Sequence, residues 1–288
     1  MRYAKKYLDK KILFPLFAGF LAFILIKIFC IDFVIVRSPA MQPALRQGQY
    51  IFITRIFTPH RGDVVELSLP ISEKDTSQEK IKLFKRIAAM PGDTFEVRGS
   101  QLYINGQPDA RNDQFLHNYV AKIARQSDSV VFDKAGITEK FLVDDSCVYL
   151  VMLNDQQHRE LKSQKEMFSL ESNREDSAVY DENVFPFDPD TRWNKDYFGP
   201  LYIPRKGDEI KLTPANVKSY ERIIRVFEGN ALDVEKGKIY INENEVTSYK
   251  VKNDYYFVTG DNFDNSVDSR QWGFIPRQKI TARTLRKK

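Results

Sequence analysis

A lysine set among apolar residues is the first candidate for chemistry. Lys85 stands between Leu83-Phe84 and, after Arg86, Ile87-Ala88-Ala89. Side chains alternate along a strand, so Lys85 shares a face with Leu83 and Ile87 while Arg86 faces the other way. Burial on that face strips an ammonium of water and favours its neutral form. An ordinary lysine is less than about 0.1% neutral at pH 7, whereas a desolvated one is a usable base. From these residues alone, a snorkelling lysine at a strand edge fits equally well. A second candidate is the run Gly260 to Arg270, which supplies Asp261, Asp264, Asp268 and Arg270 with Asn262, Asn265, Ser266 and Ser269. Its oxygen spacing lacks the glutamate-terminated loop of an EF-hand, which disfavours calcium; a self-bonded turn network is the plainer reading. The third is Ser38-Pro39-Ala40-Met41-Gln42-Pro43. Its two prolines fix φ and hold the backbone extended or turned. Met41 is apolar and is expected to contact a membrane surface. Ser38 alone reads as a turn hydroxyl.

The elements that must hold these residues are mostly strands. Residues 49–54 and 62–67 are short apolar runs beside glycine, and residues 95–98 alternate apolar with charged. Residues 95–105 form a hairpin pattern that ends at Asn105-Gly106. Residues 232–242 echo it, and Lys206-Gly207-Asp208 echoes Arg61-Gly62-Asp63. Either a β-hairpin unit is duplicated or the sheet reuses common turn chemistry. The stretch from about 107 to 197 is less regular. Gln156 to Phe168 has the composition of a short helix, and Asp181 to Lys195 that of a loop. The expected layout is a basic tail (1–11), an apolar span (12–31), a first part of a β core (32–111), an insertion or accessory region (112–197) and a second part of the core (198–288).

Residues 12–31 are apolar apart from Lys27, and Arg2, Lys5, Lys6, Lys10 and Lys11 precede them. About 20 such residues suffice to cross a bilayer as a helix, and basic flanks stay on the cytoplasmic side. The sequence therefore predicts one transmembrane helix, a cytoplasmic N-terminus and the remaining chain on the outer face. The net charge of +5 favours anionic lipid headgroups. No aromatic-basic stripe accompanies it, so nucleic acid is not an expected partner. Cys30 and Cys147 are poor disulfide partners, and His60, His117 and His158 lack metal-ligand spacing. Neither a metal nor a cofactor is expected.

In order, spacing and position after an N-terminal apolar segment, the runs at 37–45, 85–86 and 260–270 resemble the active-site segments of bacterial type I signal peptidases. The resemblance covers about residues 12–111 and 198–283. It implies an antiparallel β catalytic domain, a Ser/Lys dyad and location in the bacterial inner membrane with the catalytic domain on the periplasmic or outer side. It also implies two partners: the bilayer and the signal peptides of exported precursor proteins. Lys85 falls at the general base, Ser38 at the side-chain donor of the oxyanion hole and Ser266 at the serine that orients the lysine. Asp268 and Arg270 match the supporting charged pair, and Asp261 and Asn262 belong to the same scaffold. The family's nucleophilic serine falls at Ala40, whose methyl group cannot attack a carbonyl. Two readings stay open: loss of the serine from an otherwise complete peptidase, or a non-catalytic relative that binds signal peptides.

Overall fold

The computed structural model describes residues 13–21, 31–70, 80–125, 130–137, 139–144 and 147–285. Its centre is an antiparallel sheet in the order Ile31–Ile35, Tyr50–Thr54, Ile280–Thr284, Val64–Pro70, Lys80–Ala89, Tyr255–Thr259, Ile275–Pro276. Chain ends and middle thus meet in one sheet, and residues far apart in sequence become neighbours. The strand Tyr255–Thr259 is buried along its whole length. Its alternate side chains enter two cores. Tyr255 and Phe257 join an aromatic core with Phe95, Phe198 and Phe274, in which the Phe95 and Phe257 rings lie 4.4 Å apart. Tyr256 and Val258 face Val65, Leu67 and Ile87 on the other side. Each fully buried side chain of this kind stabilises by about 1.5–3 kcal/mol relative to exposure.

A second sheet runs Tyr197–Tyr202, Thr94–Arg98, Gln101–Ile104, Gln107–Pro108 and lines the aromatic core. The second copy of the hairpin, Leu232–Glu235 with Lys238–Ile241, is built like the first. In each, an asparagine with positive φ ends the hairpin: Asn105 Oδ1 accepts from Thr94 N at 2.8 Å, and Asn242 Oδ1 accepts from Ala231 N at 2.9 Å. The glycine-aspartate echo, however, occurs three times. Gly62, Gly92 and Gly207 all have φ near +90° (88°, 93° and 91°), and the aspartates that follow them accept from the amides of His60, Met90 and Arg205. One turn is thus used three times beside a hairpin pattern used twice.

Residues 117–172 fold into a separate four-stranded sheet, ordered Met167–Ser172, His117–Ile123, Val148–Leu153, Lys140–Asp144. It has its own core around Phe132, Val151, Leu153 and Leu161. The helix read from Gln156 to Phe168 runs Asp155–Lys162, and Met167 begins a strand.

The N-terminal expectation is corrected. Residues 13–21 of the apolar segment are helical. Ile31 already pairs with Thr54 in the sheet. Among the described residues no helix is long and apolar enough to cross a membrane. The transmembrane helix, the single-pass topology and the inner-membrane location inferred from it are therefore not upheld. The basic tail, Ile12 and residues 22–30, with Lys27 and Cys30, lie outside the described residues. Cys147 is a free thiol.

Candidate functional site

The strand Lys80–Ala89 is flanked by Val64–Pro70 and Tyr255–Thr259, and Lys85 lies opposite Val65. Alternation turns Lys85 inward, where it is 3% exposed. Its Nζ donates to Ser266 Oγ at 2.7 Å and lies 5.8 Å from the Trp272 ring centre. Burial pulls the Lys85 pKa down to about 8, against the pull of the Asp268 charge in the other direction. At pH 7 such a lysine is about 10% neutral, roughly two- to three-hundredfold more than an ordinary one. Arg86 leaves the opposite face and grips Asp261, Nε to Oδ1 at 2.7 Å and Nη2 to Oδ2 at 2.5 Å.

Ser266 reaches the lysine because the chain reverses after Thr259. Phe263–Asn265 forms a single 3₁₀ turn, and Ser266 follows in extended conformation. Asp268 then caps the short helix Ser269–Trp272 in a capping box with Gln271. The Asp268 carboxylate accepts from Gly260 N, Arg270 N and the Arg270 guanidinium at 2.9–3.1 Å. Burial pushes the Asp268 carboxyl up, but the Arg270 charge and hydrogen bonds, the Lys85 charge and the Gly260 amide together bring it below the usual carboxylate range and hold the group ionised. Arg270, 1% exposed, also packs its guanidinium 3.9 Å from the Phe263 ring centre. This buried pair ties the two ends of the reversal together.

Ala40 sits in the turn Pro39–Met41, which packs against the strand carrying Lys85. Ser38 caps that turn: its Oγ accepts from Ala40 N at 3.2 Å. The Ala40 carbonyl accepts from Asn262 N at 3.1 Å. Gly260 fills the gap between the two loops. A Cβ there would come within 2.4 Å of the Ala40 carbonyl oxygen and 2.3 Å of Ser266 Oγ. Only a residue without a side chain permits this approach.

The structure therefore brings together Ser38, Ala40, Lys85, Asn262, Ser266, Asp268 and Arg270. Asp261 belongs to the same loop, but its side chain turns away from the lysine to Arg86. Met41 is corrected: it is 1% exposed and packs with Val36, Leu45, Ile51 and Ile53, so it contacts no surface. Gly260 was not singled out from the sequence, although a glycine closing a strand before a polar loop is a signal of close backbone approach.

What the arrangement offers is a partly neutral, desolvated amine held by a hydroxyl, beside a backbone amide and a second hydroxyl. The sequence pattern described as "Signal peptidase, peptidase S26" matches residues 10–206 and 203–286 of this chain. A probable signal peptidase I-2 of Synechocystis sp. is 33% identical over 100 residues, 30% of this chain and 45% of that protein. A signal peptidase I of Aquifex aeolicus is 41% identical over 56 residues, 19% and 22% of the two chains. A signal peptidase I of Buchnera aphidicola subsp. Baizongia pistaciae is 24% identical over 305 residues, 98% of this chain and 78% of that protein. The aligned part thus spans half or less of the first two relatives' length.

Proposed function

Because the chain belongs to the signal peptidase S26 family, we propose that it carries the site of a signal peptidase I-type serine endopeptidase without its nucleophile, and that it binds signal peptides of exported precursor proteins but does not cut them. The observation that carries this reading is the buried Lys85 Nζ to Ser266 Oγ contact of 2.7 Å beside the Ala40 turn. In a chain with serine at position 40, neutral Lys85 takes the hydroxyl proton as the serine oxygen bonds to the scissile carbonyl carbon. The carbonyl π electrons move to oxygen, where the Ser38 hydroxyl donates to it while Ser38 Oγ accepts from the amide of residue 40. Collapse breaks the C–N bond, and Lys85 returns the proton to the leaving amine. Water, deprotonated by Lys85, then bonds to the acyl carbon, and collapse breaks the C–O bond to the serine oxygen, which takes the proton back from Lys85. Ser266 holds the amine toward residue 40, and Asp268 with Arg270 keeps Ser266 in place. With alanine at position 40 the reaction stops at binding, since the methyl group has no oxygen with which to attack and the rest of the site is unchanged.

The test compares the Ala40 chain with Ala40→Ser on a precursor peptide bearing an Ala-x-Ala site. Loss of a serine protease's nucleophile costs about 10⁶ in turnover. The expected result is peptide binding by both forms and cleavage by Ala40→Ser alone. Cleavage by the Ala40 chain that disappears in Ser38→Ala would place the nucleophile elsewhere. A folded, peptide-binding Ala40→Ser form that does not cut would leave a dedicated non-catalytic binder. Failure of both forms to bind the peptide would reject the reading.

A further inference from the structure

The accessory sheet is bonded to the loop that carries Ser266. Just before its strand His117–Ile123, Leu116 N donates to Asp261 O at 2.9 Å, and Leu116 O accepts from Phe263 N at 3.0 Å. The Asp264 carboxylate accepts from His117 Nδ1 at 3.1 Å and from Asn118 N at 2.7 Å. The side-chain amides of Asn118 and Asn265 exchange hydrogen bonds of 3.2 and 2.8 Å, and Asn265 Nδ2 also donates to Asn262 Oδ1 at 2.9 Å. The Phe115 and His117 rings lie 5.3 and 5.5 Å from the Phe263 ring. The His117–Asp264 part of the cluster is shielded: their side chains are 6% and 3% exposed, and His117 Nε2 is buried with no hydrogen-bond partner among the described residues, while Asn265 reaches the surface.

These bonds hold the loop from Asp261 to Asn265, which ends one residue before Ser266. We propose that His117 and Asn118 are positioning residues for the Lys85 site, acting through Asp264 and Asn265 to fix where Ser266 meets the lysine. One 3₁₀ turn of three residues cannot hold a hydroxyl to within tenths of an ångström by itself. Besides the Asp268–Arg270 pair, the loop is anchored by the Asn262 N to Ala40 O bond, so it is held between the Ala40 turn on one side and the accessory strand on the other. Burial pushes the Asp264 carboxyl up, but the His117 hydrogen bond and the Asn118 amide bring it down, so the ionised form is retained. Without those donors a buried carboxylate would be left unpaired, and the turn would open to let water reach it.

This inference rests on the reading of Lys85 as a base, and its test needs no turnover. The full Ala40 chain with ¹³C-labelled lysine is titrated by NMR and the Lys85 signal followed. His117→Phe keeps a ring but removes the donor, and should raise the Lys85 pKa by about one pH unit as water enters. His117→Asn restores a donor near the Nδ1 position and should return the parent value. Leu161→Ala weakens the accessory sheet in its own core, away from the cluster, and should leave Lys85 unmoved. If His117→Phe does not fold, Asn118→Ala decides: it keeps the backbone donor to Asp264 but removes the side-chain bonds to Asn265, and should raise the Lys85 pKa in the same direction by less. An unmoved Lys85 in the folded donor-less variant overturns the proposal, as does an equal shift in Leu161→Ala, which would make the role merely structural. A parent Lys85 titrating at the ordinary lysine value sinks the base reading and this inference together; a lowered parent value with unmoved variants sinks this inference alone.

Discussion

Lys85 and Arg86 leave one strand on opposite faces and meet opposite surroundings. Arg86 finds a carboxylate, Asp261, in a two-point grip, and donates from Nη1 to Gly62 O at 2.7 Å. Burial works against its charge, yet the Asp261 hydrogen bond and charge raise its pKa above the ordinary value. Lys85 finds a serine hydroxyl, an indole and a carboxylate already committed to Arg270. Burial there is not repaid by a counter-ion in contact, and the pKa falls. The difference shows what separates a structural cation from a reactive one. It is the placing of the nearest anion, since both side chains are mostly shielded from water and stand on neighbouring residues.

The largest effect expected from breaking this contrast is on the Arg86 side. Arg86→Met leaves Asp261, 4% exposed, without its cation. Removing one partner of a buried pair costs about 3–5 kcal/mol. Urea unfolding of the parent and the variant at pH 7 measures it. A loss below about 1 kcal/mol, the range of an exposed pair, would show that Asp261 is solvated or paired elsewhere and would remove the contrast.

Lys85→Met should act in the opposite direction. The folded pKa of about 8 lies below the ordinary lysine value of 10.5. Below pH 8 the lysine is protonated in both states, and the folded state bears the full cost of a buried charge. Between about pH 8 and 10.5 the unfolded state binds more protons, so this group adds stability as pH rises, and above 10.5 its penalty is gone. Lys85→Met should therefore gain about 1–3 kcal/mol at pH 7, the shift corresponding to about 3 kcal/mol less what is lost in the Ser266 contact. It should also remove the rise in stability across that window. Denaturant unfolding at pH 7, 9 and 10.5 is the measurement. Parallel pH profiles for parent and variant would mean that Lys85 is not desolvated.

Both cations were legible in the sequence, because strand alternation alone puts adjacent residues on opposite faces and the apolar neighbours of Lys85 indicate burial. Ser266, Asp268 and Arg270 were legible through their motif and spacing. The accessory sheet was less so. Its strand pairs carry register shifts at Val148/Tyr149 and Met167/Ser169, which blur the period-two pattern. The His117–Asp264 contact joins residues 147 apart in sequence, and no local signal links them. Met41 misled because an apolar residue between prolines looks like a surface anchor, whereas the turn folds it back among Val36, Leu45 and Ile53. The apolar run at 12–31 misled because hydropathy does not register that Ile31 has a strand partner.

The smallest effect tests whether the contrast is local. The accessory helix Asp155–Lys162 begins at Asn154, whose Oδ1 accepts from Gln157 N at 2.9 Å while Gln157 Oε1 accepts from Asn154 N at 3.1 Å. This capping box satisfies amides that the first turn of a helix leaves unpaired. Asn154→Ala should cost about 1 kcal/mol, drawn from a helix that buries Leu161 against the accessory strands. None of the bonds that reach Asp264 or Asn265 passes through that helix end. The lysine should then keep its pKa near 8 and peptide binding should be unchanged, while hydrogen exchange quickens in the accessory helix alone. If Lys85 moved with so remote and so small a perturbation, its low pKa would follow the general stability of the fold, and the opposite behaviour of its neighbour Arg86 would no longer be explained by which anion each one touches.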